Sequence, residues 1–212
     1  MIKTYYANFF KPVSDQRFEY YLSQLPTSIR DKILRYRRWE DAHASLFGKL
    51  LLVKALKEHG LAYDLTSLQY TAFDRPFLDT SFDFNITHSG NYVACVFSES
   101  LKVGIDMEEI RPIPIDDFHQ QFTEKELAEM KNSTNPMDRF YHYWTIKEAI
   151  IKADGKGLSI PLKQIYIQGD RATVEGGTWY LKSLSIDPGY KCHLATNQLV
   201  SGEVNIEKVD FG

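Results

Sequence analysis

The feature that most constrains this chain is that it repeats itself. Slid by 97 positions, Gly60-Leu61 falls on Gly157-Leu158 (157 − 60 = 97), Leu65 on Leu162, Leu68 on Ile165 and Tyr70 on Ile167. Further along, Cys95 falls on Cys192 and Phe97 on Leu194. The motif Gly-Leu-x-x-x-Leu-x-x-apolar-x-apolar thus occurs twice, each time after a helical pattern and before a strand pattern. The expected fold class is α+β. Two similar α+β halves, residues 1–100 and 101–212, pack as a pseudo-dimer.

Local patterns fill in both halves. Residues 2–9 are rich in β-formers and read as a strand. A helical stretch starts at Pro26-Thr27-Ser28 and carries Arg30, Lys32, Arg35, Arg37 and Arg38. Its basic face is either solvated or an anion site. Glu40 to His59 reads as a long helix, with Leu46, Leu50, Val53 and Leu56 at helical spacing and Gly60 as its stop. Leu68–Phe73, Phe82–Ile86 and Tyr92–Phe97 read as strands. The second half opens with a strand over Leu101–Asp106. Thr123-Glu-Lys-Glu126 is a capping box that starts a helix to about Lys131. A second long helix runs from Asp138 to Asp154, then strands over Gln164–Ile167, Thr178–Leu181 and Tyr190–Leu194. The remaining tail is weakly patterned.

The repeat register separates structure from chemistry. Glu148 stands opposite Leu51, and Lys152 opposite Ala55. One copy of the long helix keeps core residues where the other carries charge. Two like halves with one charged helix imply a single site, placed at the interface between the halves, where ligand sites are favoured. Trp144, Glu148 and Lys152 share a helical face by their i, i+4, i+8 spacing. An exposed i,i+4 salt pair would explain Glu148 and Lys152 alone; their partners decide. Asp106 and Glu108, two apart at the end of the buried-type strand Val103-Gly-Ile105, point to one face. Such acids repel unless a cation or a proton sits between them. Magnesium suits carboxylate oxygens beside substrate phosphates. A strand end dissolving into an acidic loop is the plainer alternative. Thr87-His88-Ser89-Gly90 offers hydroxyls, an imidazole and turn N–H groups as a phosphate cradle; a lone turn histidine is also often structural. Asp74-Arg75-Pro76 adds a rigidly held arginine. Together these pieces equip a site for phosphoryl transfer.

Composition narrows the classes further. A net charge of −3 over 212 residues gives no bulk signature of a nucleic-acid binder. The two cysteines lack metal-type spacing and form no disulfide framework. No apolar run reaches the ~18 residues of a membrane span, and the N-terminus lacks a signal-peptide pattern. A cytoplasmic protein is expected. No Gly-x-x-x-x-Gly-Lys-Ser/Thr or Gly-x-Gly-x-x-Gly sequence is present, so neither a P-loop enzyme nor a dinucleotide dehydrogenase is indicated.

Val103-Gly-Ile-Asp106-Met-Glu108, followed some forty residues on by Trp144-Thr-Ile-Lys147-Glu148-Ala-Ile-Ile-Lys152, resembles the paired signature of the 4′-phosphopantetheinyl transferases. Phe84-Asn-Ile-Thr-His88-Ser-Gly90 and Glu40-Asp-Ala-His-Ala-Ser45 extend the match to roughly residues 25–165. Length and duplication resemble the Sfp-type subgroup, a monomeric pseudo-dimer. The resemblance implies transfer of 4′-phosphopantetheine from coenzyme A to a serine of an apo acyl or peptidyl carrier protein, releasing adenosine 3′,5′-bisphosphate. It implies Asp106, Glu108 and Glu148 as Mg²⁺ ligands, with Glu148 also the base. By the same resemblance Lys152 neutralises the pyrophosphate and Thr87 and His88 contact phosphate. Lys32 and Ser45 hold the 3′-phosphate, and Arg75-Pro76 flanks the adenine. Asp74 replaces the glycine common before the basic-Pro pair. Ile29 stands where relatives carry a basic residue, leaving Arg30, Lys32 or Arg35 to supply that charge. The loop with Ile113, Ile115, Phe118 and Phe122 lies where relatives dock the carrier; each of these residues is either part of that surface or simply core. The competing reading is a non-catalytic coenzyme A or nucleotide-binding module.

Overall fold

The computed structural model describes residues 2–61, 65–78 and 82–212. In chain order the first half holds β1 (Ile2–Asn8), α1 (Asp15–Ser23), α2 (Thr27–Ile33), α3 (Trp39–Glu58), the short β2 (Gln69–Tyr70) and β3 (Pro76–Phe77), β4 (Asp83–Ser89) and β5 (Tyr92–Ser98). The second holds β6 (Val103–Glu109), α4 (Glu124–Lys131), α5 (Pro136–Asp154), β7 (Tyr166–Gln168), β8 (Arg171–Val174), β9 (Gly177–Ser183), β10 (Tyr190–Thr196) and β11 (Asn205–Lys208). No helix among the described residues is long and apolar enough to cross a membrane.

The duplication is visible in topology. One sheet runs β11-β1-β5-β4 and the other β6-β10-β9-β8-β7. Within them β1-β5-β4 and β6-β10-β9 are like antiparallel triplets, each with a long helix packed against it. Helix α5 starts 97 residues after α3 (136 − 39 = 97). The central strands bury Cys95 and Cys192, both free. Leu51 and Ala55 are fully buried in the first-half core, as their plain character requires.

Sequence reading missed α1, whose Phe18, Tyr21 and Leu22 make only a narrow apolar stripe among polar residues. Leu68–Phe73 yields only the two-residue β2, because the chain turns at Thr71–Arg75, where Thr71 N–H bonds to the Arg75 carbonyl at 2.9 Å. The weakly patterned tail forms β11, parallel to β1. It therefore completes the sheet of the first half, although it follows the second. Its anchor is a charge cluster: Lys3 bonds Glu58 at 2.7 Å and Glu207 at 2.9 Å, and Lys54 reaches Glu207 at 3.0 Å. Beyond it, Phe211 stacks on Phe47 with ring centroids 4.5 Å apart.

The two sheets meet edge to edge, through side chains. Alternate residues of β4 accept the free N–H groups of β6. Asp83 Oδ2 takes Val103 N at 2.9 Å, Asn85 Oδ1 takes Ile105 N at 3.0 Å, Thr87 Oγ1 takes Met107 N at 3.3 Å and Ser89 Oγ takes Glu109 N at 3.1 Å. The outward N–H groups of the β6 edge, which would otherwise be unpaired, are thereby satisfied, as buried backbone demands. Helix α5 lies against β6 at Gly104, where a Cβ would stand 2.1 Å from the Ala149 carbonyl oxygen and 2.4 Å from Ala153 N. Only glycine admits the helix this close. Gly104→Ala should therefore destabilise the fold by about 1–3 kcal/mol, the range for overpacking, read as a lower urea midpoint. An unchanged midpoint would mean that α5 is not seated on the β6 backbone.

Candidate active site

The β4–β6 seam aims its side chains at α5. Asp106 is buried on β6, and its Oδ1 takes the Lys152 ammonium at 2.5 Å and the Thr87 hydroxyl at 3.3 Å. Lys152 Nζ also lies 3.3 Å from Thr87 Oγ1. Glu108, two residues on, accepts from Ser89 Oγ at 2.6 Å. Glu148 is half-buried one turn before Lys152. The helix face read from the sequence thus reaches the strand pair expected of it. Lys152 pairs with Asp106 rather than with Glu148.

The electrostatics follow from crowding. Burial pushes the Glu148 carboxyl up to about 7, reinforced by the Asp106 and Glu108 charges and opposed by Lys152. Glu108 is likewise raised, first by burial, with Ser89 working against it. Burial alone would lower the Lys152 ammonium, but Asp106, with Glu148 and Glu108, more than reverses this and leaves it raised. His88 on β4 is held below the usual imidazole value, first by burial and then by the Lys152 charge.

These carboxylates fit a hard divalent cation in kind. All are oxygen donors, the charges of Asp106 and Glu108 raise Glu148 and that of Asp106 raises Glu108, and Asp106 Oδ2 is buried with no hydrogen-bond partner. As they stand, no three acid, histidine or cysteine groups among the described residues are drawn into a cluster that could hold a metal. Lys152 occupies the remaining oxygen of Asp106.

Beside this cluster opens a cavity of about 440 Å³. Lys32, Ser45, Pro76 and His88 line it, as do Ile29, Tyr36, Tyr70 and Lys49. Four of the expected contact residues therefore share one space. Arg30 and Arg35 do not line it; Arg30 bonds Thr27 within its own helix. Thr87 and Lys152 line the seam instead.

Arg75 departs from expectation. Its guanidinium makes a two-pronged bridge to Asp83 at 2.9 and 2.8 Å, and donates to the carbonyls of Lys152 at 2.8 Å and Val103 at 3.2 Å. It caps the C-terminus of α5, where a cation is favoured, and is not turned toward the cavity. Asp74 before it has φ 60°, a left-handed conformation that explains why glycine suits the position and why Asp is tolerated. The Ser89-Gly90-Asn91 turn is no open cradle either. Asn91 N–H donates to Tyr190 Oη at 3.2 Å, and Gly90, at φ 52°, leaves no room for a Cβ against that oxygen.

Two further residues change meaning. Lys147, fully buried, ion-pairs with Glu126 at 3.0 Å and donates to the Leu162 carbonyl at 2.9 Å. It ties α4 and the segment after Gly157 to α5. Phe122, for which docking surface and core were both open, is core: it is wholly buried among Phe140 and Trp144. Ile113, Ile115 and Phe118 pack partly onto that cluster.

Two family descriptions cover the chain: "4′-phosphopantetheinyl transferase, N-terminal" over residues 10–100 and "4′-phosphopantetheinyl transferase superfamily" over 102–200. The chain is 32% identical over 194 residues to 4′-phosphopantetheinyl transferase Sfp of Bacillus subtilis, covering 85% of this chain and 86% of that one. It is 34% identical over 153 residues to 4′-phosphopantetheinyl transferase gsp of Aneurinibacillus migulanus, covering 71% and 64%. The L-aminoadipate-semialdehyde dehydrogenase-phosphopantetheinyl transferase of Xenopus laevis is 31% identical over 170 residues, covering 71% and 56%.

The raised pKa of Glu148 has a thermodynamic sign. Its folded value lies above the ordinary carboxylate value, so stability falls as pH rises from that value through about 7. Glu148→Gln should therefore raise the Tm of the metal-free protein at pH 8, by about 2–4 °C for each kcal/mol relieved. The gain should shrink toward zero at pH 5, where Glu148 is already protonated in the fold. Calorimetry giving equal shifts at both pH values would contradict the crowding of these acids.

Proposed function

Because the chain belongs to the 4′-phosphopantetheinyl transferases of the Sfp type, we propose that it moves 4′-phosphopantetheine from coenzyme A to a serine hydroxyl of an apo acyl or peptidyl carrier protein. Adenosine 3′,5′-bisphosphate is the other product. The observation that carries this reading is a carboxyl poised near pH 7, Glu148, set beside Asp106, Lys152 and Thr87 and next to a cavity lined by Lys32, Ser45 and His88. Family membership and these side chains together support the reading.

Glu148, ionised, takes the proton of the carrier serine hydroxyl, directly or through a water. The serine oxygen bonds to the phosphorus that carries the pantetheine arm. The bond from that phosphorus to the bridging oxygen breaks, and its electron pair leaves with the bisphosphate. A base near its operating pH suits this task, typically contributing 10²–10⁴-fold. Lys152 neutralises charge as it grows on the pyrophosphate, held in place by Asp106 and Thr87. His88 and Thr87 would contact phosphate, and Lys32 and Ser45 the 3′-phosphate. Pro76 would flank the adenine, while Arg75 holds that turn and the end of α5. Asp106, Glu108 and Glu148 are the residues that would hold a magnesium ion. When bound, such an ion supplies charge neutralisation for a pyrophosphate. Both halves of the site lie in one chain, which supports a monomeric enzyme.

The test is to incubate the protein with coenzyme A, Mg²⁺ and a panel of apo carriers and to weigh each carrier. One carrier should gain the mass of a phosphopantetheine group, and a chelator should stop the gain. Stoichiometric coenzyme A binding without turnover on any carrier would instead favour the binding module. Glu148→Gln should lower the transfer rate by about 100-fold or more with the circular-dichroism spectrum intact. Full activity in that variant would remove Glu148 from the role of base.

A further inference from the structure

We propose that Lys49 is a binding residue: with Lys32 and Ser45 it forms a dianion subsite in the cavity, by which the protein selects a donor carrying a phosphate on its ribose. The inference rests on the coenzyme A reading above and adds a residue that the resemblance did not supply.

Ser45 and Lys49 stand i, i+4 on α3 and so share a face. Both line the cavity with Lys32 of α2. Lys49 has no carboxylate partner among the described residues; the ionisable groups it is coupled to are Cys95, a buried thiol, Lys32, a second cation, and His88 on the same cavity wall. Its ammonium is pulled below the usual value by burial, a drop that Cys95 opposes and Lys32 deepens. Removing an ammonium from water without a counter-charge is costly, and packing does not require it here. The position 97 residues on is Ile146, a buried core residue doing the same helix-packing task. Lysine in one copy and isoleucine in the other repeats the asymmetry that marks Glu148 and Lys152.

The ligand chemistry follows. Two lysines and a hydroxyl donor, with no acid among the described residues that line the cavity, suit a doubly charged group with several acceptor oxygens. A phosphate monoester meets that description. Ile29, also on this wall, brings no charge, so Lys32 and Lys49 are the lysines that supply it.

Coenzyme A and 3′-dephospho-coenzyme A separate the possibilities. The wild type should favour coenzyme A through a lower KM, and Lys49→Met should bring the KM for coenzyme A up toward that for the dephospho form, by about 10- to 100-fold, the usual worth of a charged hydrogen bond. Lys49→Arg should recover part of the preference. A readout independent of turnover is the melting shift with adenosine 3′,5′-bisphosphate, expected in the wild type and lost in Lys49→Met. The ligand-free Lys49→Met protein should melt at or above the wild type, since an unpaired ammonium has been replaced by an apolar chain of similar length. Undiminished discrimination in Lys49→Met, or an equal loss on both donors, overturns the inference while leaving the transferase reading intact. If the wild type turns over neither donor, the transferase reading fails, and the melting shift alone decides: present in the wild type and absent in the variant it supports the subsite, and equal in both it sinks it.

Discussion

Everything in this molecule hangs on a strand edge that is paired by side chains. Two sheets of similar build could pack in many ways. Here Asp83, Asn85, Thr87 and Ser89 reach across and take the N–H groups of Val103, Ile105, Met107 and Glu109 in register. The pairing fixes the halves along the strand axis, because a slip of one residue would turn all four acceptors away. It also makes chemistry out of architecture. The hydroxyls of Thr87 and Ser89 that satisfy the backbone also touch Asp106 and Glu108. A seam built from polar side chains leaves polar groups wherever the acids project, so the site lies on it.

The seam then constrains the helix. Gly104 lets α5 approach the β6 backbone directly, and Arg75 ties the helix end to Asp83, itself a seam residue. Glu148 and Lys152 are thus held against Asp106 from both directions. The tension is electrostatic. Three acids and one lysine in a half-buried space raise the Glu148 carboxyl to about 7, an arrangement that weakens the fold in the manner common at functional sites.

Much of this was legible in the sequence. The 97-residue register announced two halves, and the contrast of Glu148 and Lys152 with Leu51 and Ala55 singled out the helix that meets Asp106. What was hidden was non-local. Thr87, Ser89 and the glycine after them looked like a phosphate cradle, because side-chain hydroxyls carry no record of which backbone they will meet. Arg75 looked like a ligand contact, and nothing in Asp74-Arg-Pro76 says that Asp83 and a helix end will claim its guanidinium. Phe122 fitted a surface loop and a core alike, and only the folded chain shows Phe140 and Trp144 enclosing it. Lys49 did leave a trace: it is a lone charge inside Leu46-Phe-Gly-Lys-Leu-Leu-Leu52, one turn from Ser45. A charge in so apolar a run is worth following even when no motif contains it.

The parallel pairing of β11 with β1 bears on how such a chain comes together during synthesis. Lys3 pairs with Asn205, so about 200 residues separate partners in one sheet, a contact of very high sequence separation. Until the second half has been made, β1 offers an open edge, and Lys3 and Lys54 lack one of their acidic partners. The nascent first half is therefore an unfinished sheet, exposed to mispairing with other chains. Although the fold is a duplication, its two copies are not separable modules: a cut between residues 100 and 101 would remove a strand from the first sheet as well as divide the seam.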